Sequence, residues 1–170
     1  MSLANLITIA RGLLIAPVLI LLFRDLRIAA FFLFGLACLG DVVDGMVARA
    51  RHEVTTWGKA LDPAVDKMLY VSLLCSLYVK AEISAVALAL YLLPQVVLGI
   101  GAIVLRSSQK RVQGARILGK AAAALSFGAL SFLILGWPGG EILLYVAIAA
   151  TFVATVDYGR TAFLSHGSRS

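Results

Sequence analysis

Charged residues are scarce in this chain of 170 residues, since Asp, Glu, Lys and Arg together make up only 14% of it. A soluble domain of average composition carries about 25%. Hydrophobic residues account for 61% of the chain, and such a balance is typical of a protein that is solvated by lipid. The composition therefore predicts an integral membrane protein.

Cysteine and histidine are also rare, with two of each. Cys38 and Cys75 lie in separate apolar stretches and belong to no CxxC pattern, which argues against a disulfide framework and against a zinc site. We predict that both are small buried hydrophobic residues. His52 has no second histidine near it and is expected in a solvated loop.

Long polar connections are missing as well. Six apolar runs approach the roughly 20 residues that a helix needs to cross a bilayer, and the segments between them are too short to hold a soluble domain. We predict an all-α membrane protein with six transmembrane helices and one domain over residues 1–170. The runs are about Leu6–Phe23, Ile28–Ala50, Trp57–Val79, Ile83–Leu105, Ile117–Leu135 and Ile142–Phe163.

The distribution of positive charge predicts an orientation. If both termini are cytoplasmic, the outer connections hold only Arg24, Arg27 and Lys80 of the 15 Lys and Arg residues, as the positive-inside rule requires. The net charge of +6 follows from the same bias. Because the basic residues are dispersed and lack interleaved aromatic residues, they favour contact with anionic membrane lipids and argue against a nucleic-acid partner.

Four aspartates interrupt the apolar pattern. Asp41 and Asp44 are three residues apart, and Asp62 and Asp66 are four apart, so each pair occupies one face of a helix. Even on the mildest scale an ionised Asp at membrane depth costs about 3 kcal/mol. Two such faces turned toward each other would form an all-oxygen site for Mg²⁺ or Mn²⁺. Transporters also keep acids at this depth, so a cation-coupled transporter is an alternative.

Residues near the aspartates favour a substrate that contains phosphate. Gly45 lets a ligand approach the backbone, and Arg49 can direct two donors at a phosphate. Thr55 lies just before Gly58, which opens the third run, and it could cap that helix or contact a nucleotide. A simple cation pathway has no evident use for these donors. The segment therefore indicates phosphoryl transfer.

The segment from Asp41 to Asp66 reads D-x2-D-G-x2-A-R-x8-G-x3-D-x3-D and resembles the signature of the CDP-alcohol phosphatidyltransferase family. Residues Asn5 to Arg11 are similar to the N-x-x-T-x-x-R opening of that family. The six-run layout is similar to the family's fold. The resemblance thus extends over the architecture, while its specific part is the signature.

This resemblance implies an enzyme of phospholipid synthesis. An alcohol would attack the lipid-side phosphate of CDP-diacylglycerol and release CMP, with Asp66 as general base. Family members are usually homodimers, and we expect this chain in a bacterial inner membrane with its site on the cytoplasmic side. The implied ligands of two divalent cations are Asp41, Asp44, Asp62 and Asp66. The implied nucleotide-binding residues are Asp41, Asp44, Gly45, Arg49, Thr55 and Gly58.

Basic residues around the fifth run are candidates for binding the acceptor alcohol. Arg116 and Lys120 are four residues apart, and Arg106 precedes them; they could also be ordinary positive-inside charge. The pair Gly119-Lys120 resembles one in bacterial phosphatidylglycerophosphate synthases, a branch of the family whose acceptor is glycerol 3-phosphate. Inositol phosphate, phosphatidylglycerol and serine are the alternative acceptors.

Overall fold

The computed structural model describes the backbone of residues 3–51, 58–107 and 117–167, and the side chains of residues 10–40, 65, 67–97, 117–157 and 160. Within these ranges the chain forms six α-helices and no strand, which confirms the all-α prediction. The helices are α1 (Leu3–Phe23), α2 (Arg27–Arg51), α3 (Gly58–Val79), α4 (Ala85–Ser107), α5 (Ile117–Leu135) and α6 (Gly140–Gly167).

Two helices of the described part are long and apolar enough to cross a membrane, namely α5 and the Gly140–Asp157 part of α6. This finding supports a membrane protein. The other four helices carry shorter apolar segments within the described residues: Ala10–Phe23, Arg27–Gly40, Lys67–Val79 and Ala85–Val97.

The chain divides into two compact units. Unit 1 comprises Met1–Glu82 and Ile134–Gly136, and unit 2 comprises Ile83–Leu133 and Trp137–Ser170. In unit 1, α1 packs against both α2 and α3. The rings of Phe34 and Tyr70 meet edge to face, with centroids 5.9 Å apart, and so join α2 to α3.

Each helix of unit 1 buries one face. Most of its buried residues recur at steps of three, four or seven, which is the spacing of a single helix face. They are Arg11, Val18 and Leu22 on α1, Ala30, Phe34 and Ala37 on α2, and Leu69, Leu73 and Leu77 on α3, where Leu74 and Ser76 are buried beside them.

Four charged residues tie the turn between α1 and α2 to the end of α3, and we call them the turn clasp: Asp25, Arg27, Lys80 and Glu82. Arg27 donates from Nη1 and Nη2 to the Glu82 carboxylate at 3.1 and 2.6 Å. Lys80 Nζ donates to Asp25 Oδ1 at 2.6 Å and to the carbonyl of Leu22 at 3.3 Å. The hydrogen bond and charge of Lys80 lower the pKa of the Asp25 carboxyl.

Gly136 lies against the turn clasp. Its φ of +69° is in the left-handed region, and an added Cβ would come within 2.6 Å of Arg27 Nη1. Glycine meets both constraints because it has no side chain.

In unit 2, α4 packs against α6. Ser84 caps α4, since its Oγ accepts the N–H of Ala87 at 3.2 Å. The same residue reaches α6, with its N–H 3.3 Å from Glu141 Oε1 and its Oγ 3.0 Å from the Tyr145 hydroxyl. These contacts fix the start of α4 on α6.

The prediction for the two cysteines was half wrong. Cys38 is half-buried, but Cys75 is exposed. Cys75 shares an exposed face of α3 with Met68 and Val79. An apolar run therefore does not distinguish a buried position from an exposed one.

Candidate active site

The side chains of the four motif aspartates lie outside the described residues, and the backbone of α2 and α3 places their positions. On α2, the buried residues Ala30, Phe34 and Ala37 follow steps of four and three. The same steps lead on to Asp41 and Asp44. Both positions therefore continue the face of α2 that is buried in unit 1.

The face of α3 shows the same continuation. Leu69, Leu73 and Leu77 are buried on it, with Leu74 and Ser76 beside them, and steps of three and four backward from Leu69 reach Asp66 and Asp62. Both pairs of acids thus occupy register positions on faces that pack within one unit.

The two pairs also lie at matching distances from the turn clasp. At 1.5 Å per residue, Asp41 is about 21 Å along α2 from Arg27, and Asp66 is about 20 Å along α3 from Val79. Asp44 is about 26 Å from Arg27, and Asp62 is about 26 Å from Val79, along the same helices. Because the clasp joins the helices at one end, the backbone brings all four positions to similar levels.

The remaining nucleotide-site candidates extend from these acids. Gly45 and Arg49 lie on α2 beyond Asp44, and Gly58 is the first residue of α3. Their side-chain surroundings and the whole of Thr55 lie outside the described residues.

The acceptor candidates are described only in part. Arg106 lies in the last turn of α4 and Lys120 in the first turn of α5, where Lys120 is exposed. Arg116 and the side chain of Arg106 lie outside the described residues. The assignment of these three residues to the acceptor remains a prediction.

One buried charge was not singled out by the sequence as part of a site. Arg11 is 2% exposed, and it is the only fully buried charged side chain among the residues whose side chains are described. Its neighbour Gly12 faces α3, since a Cβ built there would lie 3.9 Å from Val65 Cγ1. A charge within an apolar run was the available signal, but a run alone does not show which face is buried.

The donor set suits a hard divalent cation. Four carboxylate residues at similar levels, in register with the buried faces of α2 and α3, would offer oxygen ligands, which Mg²⁺ and Mn²⁺ prefer. Carboxylates in an apolar unit also need compensating positive charge. The residue types and the backbone register therefore fit a metal site.

Comparison with known proteins gives a consistent result. The sequence model of the CDP-alcohol phosphatidyltransferase family matches residues 1–154. A CDP-diacylglycerol–glycerol-3-phosphate 3-phosphatidyltransferase of Rickettsia bellii is 33% identical, over 92% of this chain and 93% of the relative. The enzyme of the same name in Bacillus subtilis is 29% identical over 78% and 72%. A probable phosphatidylglycerophosphate synthase of Mycobacterium tuberculosis H37Rv is 27% identical over 92% and 79%.

Proposed function

Because this chain belongs to the CDP-alcohol phosphatidyltransferase family, we propose that it transfers the phosphatidyl group of CDP-diacylglycerol to glycerol 3-phosphate. A hydroxyl oxygen of the acceptor forms a bond to the lipid-side phosphorus, and the bond from that phosphorus to CMP breaks. The products are phosphatidylglycerophosphate and CMP. The observation that carries this choice of acceptor is the 33% identity, over more than 90% of both chains, to a relative named for this reaction.

The four aspartates would hold the divalent cations that the family uses. Bound there, two cations would neutralise the diphosphate and stabilise the charge that develops on departing CMP. Asp41, Asp44 and Asp62 supply ligand oxygens in this proposal. Asp66 is both a ligand and the general base, which takes the proton of the attacking hydroxyl at hydrogen-bond distance.

The other motif residues would position the substrates. Gly45 and Gly58 leave room for the nucleotide, and Arg49 and Thr55 donate hydrogen bonds to it. The acceptor phosphate would be bound by Arg106, Arg116 and Lys120, which can make charge-assisted hydrogen bonds. Holding both substrates in line accounts for much of the expected rate enhancement.

The membrane arrangement belongs to the same proposal. All six helices would span the bacterial inner membrane as one domain, with both termini and the acids on the cytoplasmic side. The two membrane-length helices support a location in the membrane, and the bias of Lys and Arg supports this orientation. The active form would be a homodimer.

The decisive experiment supplies purified full-length protein in lipid nanodiscs with CDP-diacylglycerol, Mg²⁺ and one acceptor at a time. We expect CMP and phosphatidylglycerophosphate only with glycerol 3-phosphate. Lipid product with inositol phosphate, phosphatidylglycerol or serine instead would overturn the acceptor. Cation flux into sealed vesicles without any CMP release would overturn the enzyme assignment in favour of a transporter.

A further inference from the structure

Arg11 is a charged residue in an apolar helix, and its position matches the spacing of the buried residues of that helix. It continues the buried face of α1 that includes Val18 and Leu22, so it faces the interior of unit 1 and not the lipid. A guanidinium remains charged at every accessible pH. Burial of such a charge requires compensating negative charge or hydrogen bonds.

The level of Arg11 coincides with that of the acids. It lies about 18 Å along α1 from Phe23, and the adjacent carbonyl of Leu22 accepts a hydrogen bond from Lys80 of the turn clasp. Asp41 and Asp66 lie about 20 Å from the same clasp along their own helices. Independently, a Cβ built on Gly12 would lie 3.9 Å from Val65 Cγ1, so the backbones of α1 and α3 approach each other next to the positions of Arg11 and Asp66 in the chain.

The other described cations of unit 1 are less suited to this role. Arg27 and Lys80 belong to the turn clasp, about 20 Å along the helices from Asp41 and Asp66, and Arg24 is exposed in the same turn. Lys67 follows Asp66 in the chain and lies about 18 Å from the end of α3, but it is only half-buried. Its charge is therefore screened far more than that of a fully buried group.

We propose that Arg11 is a positioning residue of the metal site, whose buried positive charge compensates the carboxylates of Asp41 and Asp66, at the same level of unit 1, before cations bind. The inference rests on the metal site of the proposed function. Arg11 keeps the acids folded into unit 1 in the absence of metal. It also repels incoming cations, and so it sets the concentration at which they bind.

This role predicts that loss of Arg11 raises the affinity for cations. Loss of a ligand such as Asp44 weakens cation binding, whereas loss of a fixed positive charge strengthens it. We expect Arg11→Gln to lower the melting temperature without metal and to lower the half-saturating Mn²⁺ concentration at least about fivefold. Arg11→Lys, which keeps the charge, should have a half-saturating concentration close to that of the wild type.

The measurement is thermal unfolding of the purified full chain in detergent, titrated with Mn²⁺ or Mg²⁺ without substrates. Lys67→Gln is the matched control, since it removes one positive charge at the same level from a half-buried position. Its half-saturating metal concentration, which is the midpoint of the titration, should stay within about twofold of the wild-type value. Asp44→Ala should move the midpoint in the opposite direction from Arg11→Gln.

Several results would overturn the proposal. They are an unchanged or raised midpoint in Arg11→Gln, an equal shift in Arg11→Lys, and a raised KM for CDP-diacylglycerol with an unchanged metal midpoint. The variants are prepared with Mn²⁺ present, because bound cations replace the missing charge. Failure of both Arg11→Gln and Arg11→Met to fold even then would show a purely structural role and would also overturn it.

Failure of the proposed function looks different. A wild-type protein that no divalent cation stabilises would remove the metal site itself, and absence of CMP release would remove the reaction. An unchanged midpoint in Arg11→Gln, in a wild-type protein that does respond to Mn²⁺, would refute only the role of Arg11.

Discussion

At the residue scale, Asp66 carries the most specific chemical assignment. We expect Asp66→Asn to fold and to keep much of its nucleotide binding, but to lose at least about two orders of magnitude in turnover, because a general base typically contributes about 10²–10⁴-fold. The measurement is CMP release at saturating substrates, with thermal unfolding as the check on folding. Near-normal turnover by the folded variant would exclude Asp66 as the base.

Gly136 gives a second prediction at this scale. We expect Gly136→Ala to destabilise the protein by about 1–3 kcal/mol, since it combines a left-handed backbone with a Cβ placed 2.6 Å from Arg27 Nη1. Gly139→Ala is the matched control, because its φ is +86° but an added Cβ meets nothing within 4 Å. Equal losses in the two variants, measured by thermal unfolding, would show that contact with Arg27 is unimportant.

Sequence indicated single candidate residues where chemistry constrains the residue type. The roles of the signature residues between Asp41 and Asp66 stay predictions, and they rest on the cost of placing carboxylates in an apolar chain. The burial of Arg11 and the exposure of Cys75 were not predictable. In both cases the missing information was the helix face, and packing against the other helices decides it.

At the element scale, the turn clasp should stabilise the pairing of α2 with α3. Glu82→Gln removes the carboxylate that accepts two hydrogen bonds from the half-buried Arg27, and we expect a loss of about 1–2 kcal/mol, between the values for exposed and buried pairs. Asp25→Asn is the control and should lose less, since 69% of the Asp25 side chain is exposed. Equal losses of stability in Glu82→Gln and Asp25→Asn would contradict the expectation that the contact between Arg27 and Glu82 is the stronger one.

The comparison is best made at neutral pH. Lys80 lowers the pKa of Asp25 below its ordinary value of 3.8. The stabilisation from this carboxylate is therefore fully present above pH 3.8 and is lost only as the pH falls through its lower folded-state pKa.

The start of α5 provides a test of the acceptor site. If Arg116 and Lys120 bind the acceptor phosphate, replacing either with Ala should raise the KM for glycerol 3-phosphate by about tenfold or more, because a charge-assisted hydrogen bond contributes about 1.5–3 kcal/mol. The KM for CDP-diacylglycerol should stay nearly unchanged. Equal effects on both KM values would indicate a general electrostatic field instead.

At the scale of the whole molecule, the orientation can be tested in intact cells. We expect Pro138→Cys, placed in the exposed turn before α6 in a protein with Cys38→Ser and Cys75→Ser, to react with a membrane-impermeant thiol reagent added outside. Ser168→Cys should react with the reagent only after the membrane is permeabilised. The reverse pattern would invert the proposed topology.

The apolar runs predicted the number and order of the helices in the described residues, because runs of about 20 residues are too long for single strands and favour helices. The runs predicted their ends to within about three residues at most boundaries, with α1, α4 and α6 differing most. The turn clasp was not predictable from the runs, since it joins residues about 55 positions apart in the chain. Contacts of that kind depend on tertiary packing, which a local pattern does not contain.

The turn clasp also has a mechanical consequence for a substrate with two acyl chains. It fastens three helices about 20 Å from the acids, so it can serve as a pivot. A tilt of about 10° around that pivot would widen the opposite ends by about 3–4 Å. We therefore expect a lipid to enter sideways between helices whose ends near the acids separate. The ends joined by the turn clasp would stay together throughout the catalytic cycle.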